Sequence, residues 1–191
     1  MWFLSSICTV ALAAGCRDRS PDAAPPPAAI EVSAYGTPTM RIVPGHPCRA
    51  TIEGVEMTVG GRPLVSQVAN TRWTGDDAGN GTTLRQDGAP VARLYPMDDP
   101  AKMTVFDPAG VPMIQAFADG KGASVSDHQS QVVRKVDATA TGFAIRDIYS
   151  VPPMATATGT NDAVLVAVVT SPELTRQVRA LAACSRLLQE R

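Results

Sequence analysis

The chain has 191 residues, a formal charge of −1 and 18% charged side chains. That balance excludes the basic excess of a nucleic-acid-binding surface. An aromatic content of 5% is too low for the stacking platforms of base or carbohydrate recognition.

Residues 1–15, MWFLSSICTVALAAG, carry no charged side chain and end in small residues. They are too few to span a bilayer, which takes about 20 apolar residues, and read as a signal peptide. Leu12 to Cys16, LAAGC, resembles the lipobox of bacterial lipoproteins. The resemblance implies cleavage between Gly15 and Cys16, and a diacylglycerol on the Cys16 thiol. It makes the membrane a partner through an N-terminal lipid, with the protein facing the periplasm. Arg17 stands where an aspartate would signal inner-membrane retention in many Gram-negative bacteria, so in such a cell the outer membrane is the expected destination. Residues 16–30 are then the lipidated cysteine and a tether. RDRSPDAAPPPAA has no apolar period and cannot bury enough surface to fold. Its thirteen residues reach roughly 40 Å at ~3.1 Å each.

Residues 31–191 are long enough for one globular domain with a real core. Ala34 to Pro47 is rich in Gly and Pro and reads as loop, with a short apolar piece at Met40–Val43. Val55, Met57 and Val59 alternate as in a strand. A Gly-x-Pro unit then recurs at Gly61, Gly88 and Gly110, each flanked by β-prone pieces, with separations of 27 and 22 residues. Gly supplies a turn with positive φ, and Pro, lacking an N–H, suits the first residue of a strand. The units predict β-hairpins, in spacing too uneven for a solenoid. Further strands are predicted at Val132–Val136 and Gly142–Ile148, with polar loops at residues 74–82 and 118–126.

The C-terminal part changes character. Thr160 to Asp162 offers a helix N-cap. Ala163–Val169, AVLVAVV, is apolar on every side and fits a buried strand or a core helix equally. Ser171, Pro172 and Glu173 read as N-cap, first-turn proline and helix-start acid. The 3–4 spacing of Leu174, Val178, Leu181, Cys184 and Leu188 predicts an amphipathic helix over residues 172–190, about five turns. Thr175, Arg179, Arg186 and Glu190 occupy its opposite, polar face. Of four cysteines, Cys8 lies in the signal segment and Cys16 is the lipidation site. Cys48 and Cys184 remain as a candidate disulfide or as two buried thiols. The expected fold class is α+β, mostly antiparallel β: a hairpin meander, open or closed into a barrel, with C-terminal helices.

Thr104 to Ile114 (TVFDPAGVPMI), read with Asp162 to Val169, resembles the tubby-like barrel of the LURP-one-related and scramblase families. There a closed antiparallel barrel wraps a central hydrophobic helix. The resemblance covers roughly residues 50–170 and implies contact with lipid or a small apolar ligand.

The chemistry-bearing residues form no recognisable site. His46 and Cys48 lack a second pair with metal-ligand spacing. Asp127 and His128 lack a G-x-S-x-G elbow. Asp76 to Gly81 lacks the bidentate acid that closes a calcium loop. Asp98 and Asp99 are adjacent, which points them apart in a strand. No cofactor, no metal and no catalysis are expected. The expected function is a binding or structural module of the cell envelope with a protein partner. The alternative is a carrier of a lipid or small apolar ligand in a cavity lined by Val164, Leu165, Val168, Leu174 and Leu181. A hydrolase built on Asp127 and His128 comes third.

Overall fold

Short segments of alternating apolar and polar residues, joined by residues that accept positive φ, fold as successive hairpins. The computed structural model describes residues 28–96, 98–150 and 152–189; Gly15 and Cys16 lie outside them. Its strands are β1 (Ile30–Ala34), β2 (Thr37–Val43), β3 (Cys48–Ile52), β4 (Val55–Val59), β5 (Leu64–Val68), β6 (Thr71–Ala78), β7 (Gly81–Gln86), β8 (Ala89–Tyr95), β9 (Lys102–Phe106), β10 (Pro112–Asp119), β11 (Gly122–Ser126), β12 (Val132–Ala138), β13 (Phe143–Asp147) and β14 (Ala155–Thr158). Two helices follow, α1 (Ala163–Val169) and α2 (Arg176–Gln189).

Chain neighbours pair antiparallel throughout the sheet, and β1 pairs with β14, Val32 lying opposite Ala157. Between β4 and β5 a single bridge, Gly60 to Val65, replaces a ladder. The meander is therefore a nearly closed, barrel-like ring. Because the strands run up and down, their connections alternate between two rims. The near rim is where β1 begins and α2 ends. The far rim carries the β1–β2, β3–β4 and β13–β14 connections and the α1–α2 link.

Three far-rim turns, Tyr35-Gly36, Glu53-Gly54 and Asp87-Gly88, hold both central residues at positive φ. This is the type I′ geometry that matches strand twist. The Gly-x-Pro units at Gly88 and Gly110 do form hairpin connections, and Pro112 opens β10. Three stretches expected as loop are strand. Residues 34–47 contain β2, whose Pro38 is accommodated by a register shift at Val32/Ser33. Residues 74–82 are the arms of the β6–β7 hairpin. Their polar side chains pair with one another and with neighbours: Arg62 with Asp77 at 3.0 Å, Arg85 with Asp76 at 2.9 Å, Thr82 with Asp77 at 2.7 Å. Residues 118–126 likewise hold the end of β10 and all of β11, with Ala123 and Val125 facing inward.

The inner face of the ring packs on the helices. All seven residues of α1 are buried, so the apolar run is a core helix. Asp162 is its N-cap, accepting from Leu165 N at 2.9 Å. α1 packs on β9–β13, α2 on β2–β4, and the helices touch each other, filling the interior from opposite walls. Helix α2 starts at Arg176, later than residue 172. Ser171 instead ends α1, its hydroxyl donating to Ala167 O at 2.8 Å. Thr175 caps α2, accepting from Val178 N at 3.3 Å. Enclosure also buries the predicted polar face of α2: Arg179 and Arg186 are 5% and 3% exposed. Glu190 lies outside the described residues.

Two links fix α2 in place. Cys48 of β3 and Cys184 of α2 form a disulfide with Cα atoms 5.7 Å apart, closing a separation of 136 residues. On the near rim, Arg186 donates to both carboxylate oxygens of Asp162 and to the carbonyls of Asp99 (3.2 Å) and Pro100 (2.6 Å). Arg186 thus joins α2 to α1, through Asp162, and to the β8–β9 connection.

Chain entropy assigns the disulfide roughly 5 kcal/mol. Replacing both cysteines by serine is expected to lower urea-unfolding stability by an amount of that order. Asp162→Ala leaves a buried guanidinium uncompensated and uncaps α1, an expected loss of about 4 kcal/mol. The double variant Asp162→Asn with Arg186→Met should lose less than Asp162→Ala, as read from urea midpoints at constant m-value.

Candidate functional site

Between the two arcs where the helices pack, the ring shows two different solutions. Along β5–β8 large side chains fill the inside, with Leu64, Trp73, Leu84 and Leu94 each at most 5% exposed. Toward the far rim of the β1–β14 pair the inward residues are smaller, Val32, Ala34, Ala155 and Ala157, whereas Ile30 fills the near-rim end. The difference in volume leaves a cleft of about 160 Å³ at the far rim. Its walls are Val32, Met40, Ile145 and Met154, and Pro172 of the α1–α2 link covers one side. Glu53 and Arg179 supply its charged groups.

Exposed apolar side chains stand on the same rim. Tyr35, at the tip of the β1–β2 turn, is 85% exposed. Tyr149 and Ile148, on the β13–β14 connection, are 95% and 42% exposed. The two connections are adjacent, with Tyr35 N donating to Met154 O at 3.3 Å. Tyr35 occupies the first central position of a type I′ turn, at positive φ.

Charged groups brace the same rim. Glu53 accepts from Arg179 Nη2 at 2.9 Å and Arg176 Nε at 2.8 Å. Arg179 Nη1 donates to Val169 O at 3.4 Å, and its buried Nε has no hydrogen-bond partner among the described residues. Burial raises the Glu53 carboxyl, but hydrogen bonds from Arg179 and Arg176, and the charges of both, outweigh it and hold the group below its ordinary 4.5. Arg134, 4% exposed, reaches the α1–α2 link through Ser171 (3.5 Å) and Glu173 (3.4 Å).

The residues singled out in the sequence lie elsewhere. His46 is exposed in the β2–β3 connection. Asp127 Oδ1 accepts from Gln129 N (2.9 Å) and Gln131 N (3.0 Å), so this acid holds a turn, and His128 is exposed at its tip. Asp99 Oδ1 accepts from Ala101 N at 2.8 Å. The five positions proposed to line a carrier cavity, Val164, Leu165, Val168, Leu174 and Leu181, are 0–2% exposed within one continuous core. A depression of about 420 Å³ on the near rim is lined by Lys121, Asn161, Asp162 and Arg186, of which the last two already pair. Sequence reading missed the far-rim cleft because its residues come from β1, β2, β13, β14 and both helix ends. The one local signal was Tyr35-Gly36, a tyrosine in a turn dipeptide.

No protein-family model, curated protein or solved structure matches this chain.

The depressed Glu53 carboxyl sets a pH dependence. Its contribution to stability is complete above 4.5 and is lost as pH falls through the lower folded-state value. Glu53→Gln is expected to reduce stability at pH 7 and to flatten the acid limb of the stability–pH curve, measured by urea unfolding between pH 3 and 7.

Proposed function

We propose that this chain is a lipid-anchored binding module of the bacterial cell envelope, presenting the far-rim cleft to a protein partner. The observation that carries the reading is an apolar cleft at the rim opposite the start of β1, with the exposed Tyr35 in its lining. Tyr and Arg are the residues that dominate binding energy at protein interfaces. The signal residues and Cys16 precede β1, so a lipid at Cys16 tethers the domain from the near rim, the rim opposite the cleft. Residues 17–29 add up to roughly 40 Å of reach. The buried Cys48–Cys184 disulfide supports an oxidising compartment.

The carrier reading is the weaker alternative. The ring of strands around apolar α1 supports the likeness to a tubby-like barrel. Here, however, α1 and α2 together occupy the interior that a carried ligand would need.

Two measurements test the proposal. Intact mass of protein from bacterial membranes is expected to show cleavage before Cys16 plus acyl chains, both lost in Cys16→Ser. A photo-crosslinking residue at position 149 is expected to trap one envelope protein that the same residue at Asn80, on the near rim, does not. Tyr35→Ala should reduce that crosslink. An unmodified soluble product removes the anchor; equal crosslinking from both rims removes the cleft as the partner site.

A further inference from the structure

Neighbouring strands of the ring are laddered everywhere except between β4 and β5. At the near rim Gly60 and Val65 exchange two backbone hydrogen bonds, at 3.0 and 3.1 Å, and the pairing stops there. Backbone groups alternate sides along a strand. Gly60 faces β5, so Glu56 and Thr58 face it too, while Val55, Met57 and Val59 turn to β3. Val65 faces β4, and so does Gln67. Among the described residues no backbone hydrogen bond crosses from Glu56 or Thr58 to Gln67. All three residues are exposed, so their N–H and C=O groups line a gap between two open edges. An unpaired edge is a template for a further strand. On the inner side of β5, beside the gap, Ser66 is 3% exposed and its hydroxyl has no partner among the described residues.

The two edges face each other, so an occupant must offer hydrogen bonds on both of its sides. An edge strand of a second copy is already paired on one side and cannot do so. The chain's own N-terminal segment is also unsuited. Pro21, Pro25, Pro26 and Pro27 lack an N–H, and the segment joins β1 at the near rim, where the Gly60–Val65 bridge closes the gap. The open end is at the far rim, where β4 borders a depression of about 380 Å³ beside Leu174 and Gln177. We infer that the β4–β5 gap receives an extended, otherwise unpaired segment of a partner protein. It enters from the far rim and adds a short strand between Glu56 and Thr58 of β4 and Gln67 of β5. Its outward side chains lie among polar neighbours, and its inward ones are small or apolar, with a Ser or Thr to pair with Ser66. Seating it needs the two edges about 9.6 Å apart, twice the spacing of neighbouring strands. The link that must yield is Gly60-Gly61, the second glycine at φ +67. The Cys48–Cys184 disulfide keeps α2 with β3, so that wall of the core moves as one piece. Strand addition of this kind draws its affinity from main-chain hydrogen bonds. The inference goes beyond the cleft and shares with it only the rim.

Residue-resolved hydrogen exchange of the full-length protein in nanodiscs tests the gap first. The amides of Glu56, Thr58 and Gln67 are expected to exchange roughly a hundredfold faster than those of Met57 and Val59, which bond β3. Equal protection overturns an open gap. Protection that rises with protein concentration means that the edges pair between copies, and overturns a partner segment. An array of random hexapeptides, blocked at both ends, then tests the occupant. Binders are expected to alternate polar with small or apolar residues and to protect the same three amides. They should weaken about tenfold when alternate peptide nitrogens are methylated, the loss of a backbone hydrogen bond. Thr58→Pro removes an N–H that the ring does not use, so the urea midpoint should hold while binding is lost. Thr58→Cys with Gln67→Cys, opposite each other in the Gly60–Val65 register, locks the gap when oxidised. Binding should vanish in the locked protein and return on mild reduction. Binding that survives methylation or the lock overturns the inference, as does the absence of any hexapeptide that protects the three amides. Crosslinking at position 149 reports separately on the cleft.

Discussion

A ring of fourteen strands is too wide to be filled by its own side chains. Around eight strands, inward residues meet across the axis; beyond that a barrel encloses space that must hold water, ligand or protein. Here the space holds α1 and α2, and most other features follow from that. The strands are short, four to eight residues, yet most of the inner face has something to pack against. The helices supply what the strands cannot reach. The apolar run AVLVAVV has no polar face because it has no solvent side.

Enclosure creates a difficulty for α2. An amphipathic helix can hide one stripe and solvate the other, but this one is covered nearly all round, from Val178 to Arg186. Two arginines on its second face are buried with it. They stand seven residues apart, about 10.5 Å along the axis, so they diverge toward opposite rims. Arg186 ends on Asp162 and the carbonyls of Asp99 and Pro100, while Arg179 ends on Glu53 and Val169 O. Long side chains with polar ends can keep apolar stems in a core and find partners at its margin. Buried ion pairs contribute little net stability compared with well-packed apolar residues. Their value here is positional: each ties a helix to named rim connections, and the Cys48–Cys184 disulfide ties the middle of α2 to β3.

This explains what could be read from the residues and what could not. Hairpins were legible because Gly88-Ala89-Pro90 and Gly110-Val111-Pro112 are local signals. The polar stretches at 74–82 and 118–126 were misleading for the same reason. In the first, strand character comes from cross-strand pairs such as Arg85 with Asp76; in the second the apolar alternation is only two residues long, Ala123 and Val125. Arg179 and Arg186 looked solvent-facing because periodicity reports a helix's two faces, not whether a second wall closes over the polar one. Ser171 looked like a helix start because its fit as the end of α1 depends on the Ala167 carbonyl, placed by a helix whose existence the sequence left open. The disulfide could be nominated by elimination, but its geometry required both elements to be in place.

The cleft has the same origin as the core. Two arcs of the ring lie away from the main helix contacts, and each is filled mainly by strand side chains. Trp73 and the leucines fill one; Val32, Ala34, Ala155 and Ala157 underfill the other. Underfilling at the closing β1–β14 pair is not forced by the topology, because larger residues at 34 or 155 would point into the same space. The aromatic mouth is likewise not forced, since a type I′ turn accepts Asn or Asp at position 35 more readily than Tyr. An apolar cavity and an exposed tyrosine each carry a cost in a folded monomer, the first in lost packing and the second in exposed apolar surface. Both costs fall at one place, the rim farthest from the start of β1, and neither is imposed by the way the ring closes or by the helices that fill it.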